Sequence, residues 1–94
     1  MATTILATGT TAAASAPASL AAGESATLFM TGAGAATVPV DAVIELQFQR
    51  TDGNWTKAYT MSWAEQKMTA RFDGPVTFRV SRRLSPEAYG VDRA

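Results

Sequence analysis

The side chains ionised at neutral pH in this chain are eight Asp and Glu and eight Lys and Arg, and the 94 residues include no Cys and no His. Without a thiol or an imidazole there is no thiol chemistry, no zinc site built on Cys or His, and no Ser-His triad. Asp41, Asp52, Asp73 and Asp92 follow none of the spacing of a Ca²⁺ loop. Asp52 and Asp73 each precede a Gly, where turn chemistry already accounts for them. Glu45 and Glu65 are the one carboxylate pair to weigh as acid and base. The first falls on a polar strand face and the second in a connection, so nothing in the spacing brings them together. Gly32-Ala33-Gly34 lacks the Lys and the following helix of a phosphate loop and reads as a turn. The reading is therefore not an enzyme, with no catalytic residue, no metal and no cofactor.

The remaining ionic feature is Arg82-Arg83, with Arg79 and Arg93 nearby. The formal net charge is zero. A neutral chain has no long-range field to draw nucleic acid or an anionic membrane, so this cluster reads as a solvated edge or the rim of a protein contact. No run of about 20 apolar residues spans a bilayer. The N-terminus lacks the basic start and unbroken apolar run of a cleaved signal, so none is expected.

The elements that must position these groups are strands. In "DAVIELQFQR" Ile44, Leu46 and Phe48 point one way, and Glu45, Gln47 and Gln49 the other. "SATLFMT" is a second strand, ended by "GAGA"; Pro39 makes "ATVPV" an edge strand or an extended connection. "QKMTARF" sets Met68, Ala70 and Phe72 on one side, and "VTFRVSR" sets Val76, Phe78 and Val80 inward. Pro75 follows Asp73-Gly74, so that turn opens the next strand rather than closing a tight hairpin. Short strands without a long amphipathic helix mean an all-β fold, a small antiparallel sandwich or barrel. Ser85-Pro86 could start one helical turn in an otherwise irregular tail.

Asp52-Gly53 is a favoured two-residue hairpin turn. With that loop, Leu46 faces Tyr59 and Ile44 faces Met61, while Gln49–Thr56, Gln47–Ala58 and Glu45–Thr60 share the polar face. A one-residue slip would mix the faces. Trp55 then sits beside the turn, opposite Arg50. It is either half of a cation–π pair with Arg50 or an anchor for a partner protein or a sugar.

Residues 1–41 contain no Lys or Arg and are mostly Ala, Thr, Ser and Gly. The division expected is an extended arm over 1–22, an antiparallel β domain over 23–84 and an irregular tail over 85–94. An uncharged arm can lie on a neighbour and add a strand to an exposed sheet edge. Thr3, Thr4, Ile5, Leu6 and Leu20 of the arm, together with Trp55, Arg82 and Arg83, are the candidate partner-binding residues.

The order "SATLFM…VPVDAVIELQFQRTDGNWTKAYTM…FDGPVTFRVSRR" resembles the small all-β virion proteins of tailed bacteriophages. Those run from an Ala/Thr/Gly-rich start through a D-G-x-W hairpin and a Y-T strand to a closing G-x-V-x-[FY]-R-V strand. Asp52, Gly53, Trp55, Tyr59, Thr60, Gly74, Val76, Phe78, Arg79 and Val80 carry the match, which spans about residues 25–83. Pro75 lies inside the closing motif, and residues 84–94 have no place in the pattern. The resemblance implies a non-enzymatic capsid decoration (cement) protein on the capsid surface, made in the host cytoplasm. Its partners would be the major capsid protein, copies of itself, or both, as a homo-oligomer or bound to the lattice. The alternatives are a head-completion or tail component, or a fibre-like adhesion module that stacks glycan on Trp55, Tyr59 and Trp63.

Overall fold

The computed structural model describes residues 3–32 and 38–94. The expected turn at Ala33-Gly34 and the start of "ATVPV" lie outside them. Among the described residues there is no helix, and nine strands form two antiparallel sheets packed into a sandwich. The strands are β1 (Thr3–Gly9), β2 (Ala13–Ala14), β3 (Ala18–Leu20), β4 (Ser25–Gly32), β5 (Val43–Gln49), β6 (Trp55–Ser62), β7 (Thr69–Asp73), β8 (Val76–Arg82) and β9 (Tyr89–Arg93). The first sheet runs β1-β9-β4-β7 and the second β2-β8-β5-β6, with β3 also on β8.

Period-2 alternation explains the central strands. Ile44 and Leu46 of β5, Phe78 and Val80 of β8, Leu28 and Met30 of β4, and Tyr89 and Val91 of β9 all point into one core. Each such side chain contributes about 1.5–3 kcal/mol on burial. Phe72 of the first sheet meets Phe48 and Phe78 of the second at centroid separations of 5.3 and 4.8 Å, tilted and edge-on. Such geometries suit the ring quadrupoles and lock the sheets together near the β5–β6 turn. As expected, Asp73-Gly74 makes no hairpin within a sheet: the chain crosses there from β7 in one sheet to β8 in the other, through a cis Gly74-Pro75 bond. Val38–Val40 are not in a strand, and Pro39 is buried.

Three expectations are corrected. Over residues 3–20 the arm expected of 1–22 is not an arm. Residues 3–20 supply β1 to the first sheet and β2 and β3 to the second, so one edge of both sheets is built from the N-terminus. Pro17 falls in the gap between β2 and β3, where its missing N–H costs no ladder bond. In the same gap Ser15 exchanges two bonds with Val80, accepting from its N–H through Oγ at 3.0 Å and donating its own N–H to the carbonyl at 2.8 Å. The segment is held mainly by main-chain pairing, with Leu6 and Leu20 as its apolar anchors.

The tail is not irregular. Tyr89–Arg93 is an inner strand between β1 and β4, with Tyr89 and Val91 fully buried. The Tyr89 hydroxyl stands 3.0 Å from the Val43 carbonyl and 3.1 Å from that of Arg83, tying β9 to the other sheet. Ser85-Pro86 makes no helical turn; Ser85 is buried and donates through Oγ to the Asp41 carboxylate at 3.2 Å.

The third correction concerns the hairpin. Leu46 faces Tyr59, Ile44 faces Met61 and Glu45 faces Thr60 as expected. Beyond Leu46 the register shifts, so Gln47 faces Lys57, Phe48 faces Thr56 and Gln49 faces Trp55. Ala58 is the extra residue of a β-bulge. The loop is three residues long, Thr51 to Gly53, closed by the Arg50 N–H donating to the Asn54 carbonyl at 2.7 Å. Gly53 stands at φ +88° and donates to the Arg50 carbonyl at 3.0 Å, the arrangement of a type I turn followed by a left-handed glycine. The Asp52 carboxylate accepts from the Asn54 N–H at 3.0 Å.

Candidate interaction surfaces

No group of three Asp or Glu that could hold a metal occurs among the described residues. Glu45 lies on the outer face of the second sheet. Glu65 lies in the β6–β7 connection, where its carboxylate accepts from the Ser62 hydroxyl at 3.1 Å and faces Lys67 at 3.7 Å. The two carboxylates are thus engaged separately.

Of the candidate partner residues, Leu6 and Leu20 belong to the core and Arg82 is only 6 % exposed. The Arg82 guanidinium donates to the carbonyls of Thr11 at 2.8 Å, Ala7 at 2.6 Å and Tyr89 at 3.0 Å. It faces the interior because β8 alternates and Arg82 shares parity with Phe78 and Val80. These three residues are corrected from surface contacts to parts of the frame. Thr3 and Thr4 stay exposed on β1, an edge of the first sheet, Ile5 is half-buried, and Arg83 is exposed.

Trp55 does not pair with Arg50, whose guanidinium instead faces Asp52 at 3.6 Å. The bulge sets Trp55 opposite Gln49 on the outer face, and its ring meets the Arg79 guanidinium at 4.3 Å from the centroid. Arg79 Nε donates to Gln47 Oε1 at 2.6 Å, and Gln47 Nε2 donates to Glu45 Oε1 at 2.7 Å. A relay from ring to cation to amide to carboxylate therefore runs across three strands. Ser19 and Thr77 continue the face, their hydroxyls 3.0 Å apart.

A second surface lies at one end of the sandwich. Val40 is 65 % exposed, Leu84 76 % and Trp63 40 %. The Asp41–Ser85 bond joins the loops of Val40 and Leu84, and the Trp63 N–H donates to the Ala42 carbonyl, which places all three at that end. Sequence reasoning missed Val40 and Leu84; their signal is an apolar residue beside Pro or Arg in a polar connection. Trp55, Tyr59 and Trp63 form no shared platform. Trp55 is on the outer face near the hairpin turn, Tyr59 is on the inward-facing side of the edge strand β6, and Trp63 is in the loop at the opposite end. Comparison of the chain with protein-family models, with curated proteins and with solved structures finds no match.

Proposed function

We propose that the chain is a non-enzymatic structural protein of a tailed-phage virion, a capsid decoration protein that binds and stabilises the major capsid protein lattice. The observation that carries the reading is the apolar end formed by Val40, Trp63 and Leu84. A small domain that leaves large apolar side chains together in solvent gains by burying them against a partner. The virion setting rests on the resemblance of the hairpin and closing-strand motifs. The contact proposed is therefore the rigid end of a sandwich, and no longer an N-terminal arm, because residues 3–20 are committed to the sheets. Many copies on a shell sum modest contacts into a large stabilisation. An electron cryomicroscopy map of particles containing the chain tests this. Density repeating with the capsid lattice, with the Val40–Leu84 end against the shell, is expected. Density confined to a single vertex or to the tail would make the chain a head-completion or tail component instead.

A further inference from the structure

We propose that the outer face of the second sheet is a binding site for a carboxylate-bearing saccharide, centred on Arg79. The Arg79 guanidinium is held on two sides, by Gln47 through Nε and by the Trp55 ring. Its two Nη groups have no acceptor among the described residues. An arginine fixed in this way offers a fork that matches a carboxylate, with little conformational entropy left to lose on binding. The charge agrees. The strands place two cations, Arg79 and Lys57, on this face against one carboxylate, Glu45, and Gln47 already engages one oxygen of Glu45.

The surroundings select a sugar over a peptide. Both β5 and β8 are paired along both edges, so no free main-chain ladder exists beside Arg79 for an added peptide strand. What does surround it is a flat field of side-chain hydrogen-bonders: Glu45, Gln47, Thr77 and Ser81, with Ser19 beyond. Such a field suits ring hydroxyls, with the second oxygen of Glu45 as one acceptor. Trp55 contributes a half-buried aromatic surface at the border. The inference does not depend on where the protein resides.

The test is a titration of the ¹⁵N-labelled full chain with glucuronate, N-acetylneuraminate, glucose and an acidic dipeptide. The signals followed are the Arg79 Nε–H, the Gln47 side-chain amide and the Trp55 indole. Saturable shifts with a Kd of about 1–10 mM are expected for the acidic sugars, the range of one charge-assisted fork at an open site. Glucose should bind at least about tenfold more weakly, a difference of about 1.4 kcal/mol. Arg79→Gln should abolish the shifts. Arg79→Lys, which keeps charge and solubility should the first variant misfold, should weaken binding about tenfold because the fork is lost. Equal binding of glucose and glucuronate, unchanged binding by Arg79→Lys, or no saturation with acidic sugar overturns the proposal. An acidic dipeptide that binds as tightly as glucuronate also overturns it, and would make the site a contact for an acidic protein segment.

Discussion

The Arg82 guanidinium donates to the carbonyl of Ala7 at 2.6 Å, joining residues 75 positions apart. With its bonds to Thr11 and Tyr89, this one side chain gathers β1, the β1–β2 turn and β9 around the end of β8. A buried cation without a carboxylate partner is tolerable only when its N–H groups are satisfied, and here carbonyls do that. Arg82→Met should therefore cost about 1–3 kcal/mol, since it strands the buried Tyr89 carbonyl and the part-buried carbonyls of Ala7 and Thr11. Urea unfolding measures it, and a loss below about 1 kcal/mol would show that the network is dispensable.

Gly90 is where β1 passes over β9. A Cβ built there would strike the Leu6 carbonyl and come within 2.9 Å of the Thr8 nitrogen. Backbone cannot yield as a flexible side chain can, so Gly90→Ala should cost at least about 1–3 kcal/mol and free β1 first. Hydrogen exchange should accelerate at Thr3–Gly9 while β5 and β8 stay protected. Uniform acceleration across both sheets would contradict a local effect.

Deleting residues 2–20 removes β1, β2 and β3, and with them Leu6, Ser15 and Leu20. It also leaves the Arg82 guanidinium without two of its acceptors. The truncated chain should lose its cooperative thermal transition by near-UV circular dichroism. A sharp melt would restore the idea of a dispensable arm.

A double-mutant cycle separates the two candidate partners of Trp55. The Trp55–Arg79 pair should show a coupling of about 0.5–1 kcal/mol, the worth of an exposed cation–π contact. The Trp55–Arg50 pair should show none, because Arg50 faces Asp52. Equal couplings would mean that the hairpin keeps the regular register in solution.

Val40→Asp combined with Leu84→Asp places charges on side chains that are 65 % and 76 % exposed. Stability should change by no more than about 0.5 kcal/mol per site. Binding to capsid shells, measured by co-sedimentation, should fall sharply. Full occupancy by the double variant would remove the apolar end from the proposed contact.

The parts of this molecule legible in the residues are those whose pattern is their own. Ile44, Leu46 and Phe48, or Phe78 and Val80, alternate because their strands divide core from solvent, and period 2 records that division. The pairing of Leu46 with Tyr59 followed from the same logic, and the refusal of Gly74-Pro75 to close a hairpin followed from the N–H that Pro75 lacks. The absence of Cys and His also bounded the chemistry before any fold was known. Tertiary structure alone decided the rest. Residues 3–20 and 89–93 are strands because β8 and β9 offer them hydrogen bonds, and main-chain pairing leaves little trace in side-chain periodicity. Arg82 looked like a surface cation because its bonds run to backbone carbonyls, which every residue possesses. One bulge at Ala58 moved Trp55 from Arg50 to Arg79, a choice made by the pairing of three strands rather than by the turn beside it.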